Sequence, residues 1–221
     1  MNKTLSTLFA MAVACGTAVS QAQEIRGDVK AGEQKNAMCI GCHGIAGYQS
    51  SFPEVHKVPM ISGQSEAYIS SALGAYQKGE RKHPTMRGVS ISLSAQDIAD
   101  LSAYYAQHGK GGAELPAAPR RQPDARVAEL LQKGACVSCH GDNFAKPIDP
   151  SYPKLAGQHA DYLFVALKSY KAEGSQHFVG RSNGVMAGVA GQFTNAELKA
   201  LAQYIGKVEG DLRVVPQSRW R

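Results

Sequence analysis

The sequence has few aromatic residues, no long run of one charge and no apolar segment long enough for a polytopic membrane protein. Phe, Trp and Tyr make up 7% of the 221 residues, which is little for a chain that would have to fill two cores from its own side chains. The formal net charge is +6, but no basic run exceeds two residues, so nucleic-acid binding has little support. A composition 43% apolar and 19% charged indicates a folded globular protein. We therefore expect a non-protein group to supply part of the core.

Residues 1–22 resemble a secretory signal peptide. A single charge at Lys3 precedes an apolar run, Leu5–Ala14, which is too short to span a bilayer. Ser20 and Ala22 then occupy the small-residue positions of a cleavage site. The sequence predicts export to the periplasm and a mature chain that starts near residue 23.

A lipoprotein signal is the alternative, with a lipid attached to Cys15. Ala12 stands where such a site usually has leucine, so the lipid anchor is disfavoured. We expect Cys15 to leave with the signal peptide.

The four remaining cysteines form two Cys-x-x-Cys pairs, and a histidine follows each pair directly. The segments are Cys39-Ile-Gly-Cys42-His43 and Cys136-Val-Ser-Cys139-His140. This spacing is typical of covalent c-type haem attachment. Two thiols at this separation can each add to one vinyl group, and the adjacent imidazole becomes the proximal iron ligand. The sequence predicts two covalently bound haem c groups.

Disulfides, a redox-active dithiol and a structural zinc site are the competing interpretations. Neither disulfides nor a dithiol explain why a histidine follows both pairs. A zinc site would need two pairs that lie 97 residues apart, which is unusually long for a zinc ribbon.

An internal repeat gives the domain plan. The haem motifs recur at an offset of 97, the segment Pro59–Gln64 recurs as Pro153–Gln158 at 94, and the last helical segment recurs at 100. The chain is predicted to be a tandem duplication. The predicted parts are a signal peptide (1–22), a first cytochrome c domain (23–110), a linker (111–124) and a second cytochrome c domain (125–221).

The periodicity within each unit is helical, which predicts an all-α fold. The first helix of each unit should end at its haem motif, and middle helices are expected from about Glu66 to Gln77 and from about Ala160 to Lys171. The last helices should begin at Ser94 and Thr194, where Ser-x-x-Asp and Thr-x-x-Glu form capping boxes. Each unit is expected to wrap around one haem.

The distal iron ligands are predicted to be Met86 and Met186. They alone among the mature methionines align between the repeats, 43 and 46 residues after their histidines, and each lies five residues after an arginine. His83 competes with Met86, although Asn183 occupies the matching position. The two arginines, Arg81 and Arg181, are candidates to bind haem propionates, with solvated surface residues as the alternative.

Several further segments resemble the dihaem cytochrome c4 family of class I c-type cytochromes. They are Gly79-Glu80-Arg81 leading to Met86, Leu93–Ile98, Tyr104-Tyr105-Ala106, and the twin Gly-Gln pairs at 63–64 and 157–158. The resemblance covers nearly the whole mature chain. It implies two cytochrome c domains related by an approximate two-fold, and haems close enough for fast internal electron exchange. The segment Gln49–Val58 and the basic tail Arg213–Arg221 depart from the family pattern.

The resemblance further implies a periplasmic electron carrier between a quinol-oxidising cytochrome bc complex and a terminal oxidase, and not an enzyme. A dedicated electron-accepting subunit of a dehydrogenase complex is one alternative. A dihaem peroxidase-like enzyme is another, although a methionine aligned in both halves argues against it. The sequence leaves the oligomeric state and peripheral membrane association open.

Overall fold

The computed structural model describes residues 25–110, 114–172 and 177–216, and within these ranges the fold is helical. The predicted signal peptide and Cys15 lie outside the described residues. In the first unit the helices are α1 (Val29–Lys35), α2 (Ala37–His43), α3 (Glu66–Lys78), α4 (Pro84–Ser90) and α5 (Ala95–Gln107). In the second unit they are α6 (Ala125–Lys133), α7 (Cys136–His140), α8 (Ala160–Lys171), α9 (Gly184–Gly191) and α10 (Asn195–Ile205).

The predicted helix starts agree with the observed caps. Ser94 and Thr194 form capping boxes with Asp97 and Glu197 at the start of α5 and α10. The helix α3 runs one residue past its predicted end and stops at Gly79, which adopts a left-handed conformation (φ 77°) that glycine accepts without strain. Local signals were sufficient to place these helices.

Each unit has its own apolar core beside its haem-attachment motif. In the first unit α1 and α3 pack on α5, and in the second α8 and α6 pack on α10. Half-buried Cys39 lies against the first core and Cys136 against the second. The buried residues of the first core are Ile69, Leu101, Tyr104 and Tyr105.

Two-residue strands join the two units. The strand β3 (Arg81–Lys82) pairs antiparallel with β4 (Gly180–Arg181), and Arg81 lies opposite Arg181. Because equivalent arginines face each other, exchanging the two units maps this contact onto itself. The arrangement agrees with the approximate two-fold implied by the family resemblance.

The segment Gln49–Val58, which departs from the family pattern, forms a hairpin directed at the second unit. Its strands β1 (Gln49–Ser50) and β2 (His56–Lys57) pair antiparallel. The amide of Lys57 donates to the Asp161 carboxylate at 3.0 Å, and Glu54 forms an ion pair with Lys168. The extra residues therefore add contacts between the units.

The predicted basic tail begins by returning to the first unit. The amide of Arg213 donates to the carbonyl of Ser62 at 3.0 Å; residues 217–221 lie outside the described part. None of the helices in the described ranges is both long and apolar enough to cross a bilayer. The domain boundaries stay predictions, although Asp124 caps α6 at the predicted start of the second domain.

Asp100 is a buried carboxylate in α5, 2% exposed. Burial favours its neutral form, but hydrogen bonds from Lys35, the Asp28 amide and Gln96 outweigh this and lower its pKa. We expect Asp100→Asn to lower the free energy of unfolding by about 1.5 kcal/mol at pH 7. The difference should persist above about pH 5 and shrink below about pH 4, as the wild-type carboxylate becomes protonated.

Urea unfolding of the wild type and the variant at pH 7, 5 and 3 measures this difference. The exposed Asp142→Asn is the control variant. An equal loss at pH 3 and pH 7 would contradict the assignment of the effect to the Asp100 charge.

Candidate haem-binding site

Two short helices carry the predicted attachment motifs. The motif of the first unit ends α2, and that of the second unit forms the whole of α7. Positions i, i+3 and i+4 share one helix face, so the two thiols and the imidazole of each motif project to the same side. All four cysteines are half-buried free thiols.

Both motif histidines are held by a proline carbonyl from the repeated segment. The Nδ1 of His43 lies 2.7 Å from the Pro59 oxygen, and the Nδ1 of His140 lies 3.1 Å from the Pro153 oxygen. Since a carbonyl only accepts, each Nδ1 carries the proton and each Nε2 keeps a free lone pair. Burial lowers the pKa of both histidines and outweighs the opposing effect of the carbonyls. Each ring is therefore a neutral imidazole, the form that binds a metal.

The chemistry of the thiols disfavours the competing interpretations. Burial and the neighbouring Cys42 raise the pKa of Cys39 to about 11, and burial raises the pKa of Cys136. A redox dithiol needs a thiol that ionises readily, and this disfavours Cys39 and Cys136 in that role. Throughout the described ranges, no group of three or more His, Cys, Asp and Glu side chains is arranged to bind one metal ion. The zinc hypothesis thus has no support in this structure.

Met86 and Met186 occupy equivalent places, each the third residue of a short helix. Both are half-buried. The N-cap of α4 is His83, whose Nδ1 accepts from the Met86 amide at 3.4 Å. The N-cap of α9 is Asn183, whose side-chain oxygen accepts from the Met186 amide at 2.9 Å. His83 and Asn183 therefore share a capping role, which explains why different residues stand at matching positions.

The same geometry bears on His83 as a competing distal ligand. Its Nδ1 faces the Met86 amide, and its Nε2 lies 3.4 Å from the Ser50 hydroxyl. Both ring nitrogens thus have partners within the protein.

Arg81 and Arg181 lie where the two units meet and are half-buried, which disfavours the solvated alternative. Each guanidinium donates to the Tyr162 hydroxyl, at 2.7 Å and 3.1 Å. Arg81 also lies over the ring of Tyr76, and Arg181 over that of Tyr170. Neither arginine has a carboxylate partner in the part of the chain that the structure describes. The Nε of Arg81 is buried without a hydrogen-bond partner.

The tyrosine hydroxyl reflects this uncompensated positive charge. Burial disfavours ionisation of Tyr162, but the charges of Arg181 and Arg81, with hydrogen bonds from Arg181 and Tyr68, outweigh it and lower the Tyr162 pKa. A half-buried pair of cations with one buried, unsatisfied donor suits carboxylate groups. This environment fits the propionates of a haem.

Comparison with known proteins identifies the family. The chain is 33% identical to cytochrome c4 of Stutzerimonas stutzeri over 93% of this chain and 98% of that protein. Reduced recombinant cytochrome c4 from Pseudomonas stutzeri has a similar structure, with a TM-score of 0.61 and 30% identity over 83% of this chain and all of that one. Residues 125–209 match the cytochrome c family model. The chain belongs to the dihaem cytochrome c4 family.

Another relative is named for a different role. The thiosulfate dehydrogenase electron acceptor of Thiomonas intermedia (strain K12) is 31% identical over 76% of this chain and 77% of its own length.

Membership of the cytochrome c4 family confirms the predicted all-α fold of two cytochrome c domains and two covalently bound haem c groups. It also confirms an electron-transfer protein and not an enzyme. The residues present fit haem c, because each unit offers two thiols for the vinyl groups, a neutral imidazole, and an arginine without a carboxylate partner among the described residues.

The role of two glutamines could not be predicted from the sequence. Gln64 and Gln158 were visible only as a repeated Gly-Gln pair. Both are buried, 3% and 4% exposed, and each hydrogen-bonds the backbone of the other unit. The one signal in the sequence was that the Gly-Gln pair recurs in both units.

Proposed function

We propose that this cytochrome is a periplasmic carrier that moves single electrons from a cytochrome bc complex or a similar donor to a terminal oxidase. The observation that carries the proposal is the pair of attachment motifs, each with a neutral histidine whose free nitrogen is set by a proline carbonyl. Such a constellation in both units favours two permanently ligated redox centres.

The proposed ligands follow the repeat. Cys39 and Cys42 attach one haem and Cys136 and Cys139 the other. His43 with Met86, and His140 with Met186, are the axial pairs. The haem iron supplies a one-electron couple between its ferrous and ferric forms. The protein keeps each imidazole neutral and oriented, and a methionine at the sixth position would exclude exchangeable ligands.

An optical spectrum of the mature protein, oxidised and reduced, with haem stoichiometry, tests this proposal. We expect two low-spin haems per chain, the weak near-infrared band of methionine-ligated ferric haem from both, and no change on adding cyanide or peroxide. A high-spin or readily ligated haem would contradict the carrier function and favour a peroxidase-like enzyme.

The relative named as a thiosulfate dehydrogenase electron acceptor supports a second candidate, an electron-accepting subunit of a periplasmic dehydrogenase. The redox chemistry would be the same, and only the donor would differ. Affinity purification of the exported protein distinguishes the candidates. A stoichiometric dehydrogenase that reduces the haems within the complex would favour the second, and rapid reduction by a bc complex with no such partner would favour the first.

We further propose that Arg81 and Arg181 bind haem propionates. Arg81→Met should lower the potential of the neighbouring haem by roughly 40 mV, the equivalent of about 1 kcal/mol for one electron, because a half-buried cation stabilises the reduced state. The potential should also become more pH-dependent near neutrality, since a propionate without its cation is protonated more easily.

Redox titration between pH 6 and 8 measures both effects. The exposed Arg87→Met, in the same unit, is the control variant. An unchanged potential in Arg81→Met would show that this cation does not face a haem.

A further inference from the structure

The peptide group between Pro59 and Met60 is bonded on both sides. Its carbonyl accepts from Nδ1 of His43 at 2.7 Å, and its N–H donates to the side-chain oxygen of Gln158 at 3.0 Å. Gln158 belongs to the second unit. One planar peptide group therefore connects the histidine of one unit to a glutamine of the other.

The second unit repeats this arrangement. The carbonyl of Pro153 accepts from Nδ1 of His140 at 3.1 Å, and the N–H of Lys154 in the same peptide group donates to the Gln64 oxygen at 3.0 Å. Gln64 belongs to the first unit. The two relays are thus reciprocal about the approximate two-fold.

Each glutamine is fixed by further bonds. The Nε2 of Gln64 donates to the Lys154 carbonyl at 3.0 Å, and the Nε2 of Gln158 donates to the Met60 carbonyl at 2.9 Å. Each side-chain oxygen also accepts from the amide of the following residue, Ser65 or His159. A buried amide with all these bonds has one orientation, so its dipole is held against the peptide group.

We propose that Gln64 and Gln158 are positioning residues that act across the domain contact, Gln64 on the haem of the second unit and Gln158 on the haem of the first. Hydrogen bonds in a chain polarise one another. The glutamine oxygen makes the proline carbonyl a stronger acceptor, and the carbonyl draws the Nδ1 proton from the histidine. A more basic imidazole stabilises ferric iron and lowers the potential.

This inference rests on the proposed histidine ligation, but different results would contradict the inference and the ligation. Loss of histidine ligation would be visible in the wild-type spectrum, before any variant is made. The inference concerns only which haem responds to which glutamine.

The test compares Gln64→Met with Gln158→Met in the full dihaem protein. Redox titration followed by NMR of the haem methyl groups, assigned to each unit through contacts with the thioether bridges, gives the two potentials separately. Gln64→Met should raise the potential of the second haem by about 28 mV, a threefold change in its equilibrium constant at about 59 mV per tenfold, and leave the first nearly unchanged. Gln158→Met should do the reverse. Exchange of the His140 Nδ1 proton should also become faster in Gln64→Met.

The control is Ser65→Ala, which removes a hydrogen bond between Ser65 and the Pro150 carbonyl of the second unit but leaves both relays intact. It should shift neither haem selectively. Where a methionine variant gives too little dihaem protein, Gln64→Asn and Gln158→Asn shorten the side chain and keep its amide. Equal shifts at both haems, a shift confined to the unit that carries the substitution, or no shift would overturn the proposal.

Discussion

Met86→Ala should convert the first haem to a high-spin ferric form that binds cyanide, while the second haem keeps its spectrum. The sixth iron position would lose its sulfur ligand, and the short α4 helix offers no replacement, because both ring nitrogens of His83 already face other groups. The reduction potential of the first haem should fall by on the order of 0.1 V or more. Axial ligands set haem potentials over a range of about 0.8 V, so a shift of this size lies within that range. Met186→Ala should do the same to the second haem.

Optical and near-infrared spectra with cyanide titration measure this result, and Met38→Ala is the control. Met38 is 57% exposed and adjoins Cys39, so its loss should leave both haems low-spin. An unchanged spectrum in Met86→Ala would show that another residue ligates the iron. His83→Ala in the Met86→Ala background would then test His83, whose imidazole would have to leave its capping position.

Features with short-range signals could be predicted from the sequence. The helix Ala160–Lys171 agrees at both ends with its prediction, and the capping boxes at Ser94 and Thr194 place α5 and α10. The attachment motifs are equally local, since five consecutive residues contain both thiols and the imidazole. The repeat strengthens each of these predictions, because the same local feature is present in both halves of the chain.

The helix breaks before the attachment motifs were harder to predict from the sequence. The first helix of each unit was expected to end at the motif, and instead a cap residue separates α1 from α2 and a turn separates α6 from α7. In the second unit this turn includes Ala135 in a left-handed conformation (φ 46°). Such a backbone is rare for alanine, so propensity alone does not indicate it.

Contacts between the units could not be predicted from one sequence. Gln64 and Lys154 are 90 residues apart, and Gln158 and Met60 are 98 apart. Nothing local indicates which repeat a glutamine will bond. For the same reason the sequence does not indicate that Arg81 and Arg181 lie close together, although the structure brings both to one tyrosine at the domain contact.

Gly32→Ala and Gly74→Ala should change stability in opposite directions, although both replace a glycine in a helix of the first unit. A Cβ on Gly32 would lie 2.1 Å from the Asp100 carbonyl oxygen and 2.6 Å from Cβ of Tyr104. Because these atoms belong to the buried side of α5, α1 must move away. We expect a loss of about 2 kcal/mol in the free energy of unfolding.

A Cβ on Gly74 meets no atom within 4 Å, so Gly74→Ala should gain up to about 1 kcal/mol from helix propensity.

The two variants also differ in their effect on the haem, because only a single cap residue, Asn36, separates α1 from α2, which carries Cys39. Displacement of α1 should therefore lower the yield of dihaem protein in Gly32→Ala and weaken low-spin ligation in the first unit only. Thermal unfolding followed by haem absorption measures the stability change. The haem stoichiometry and spectrum of the purified protein measure the dihaem yield and the low-spin ligation. Equal stability changes in the two variants would mean that α1 and α5 do not approach as closely as the structure places them.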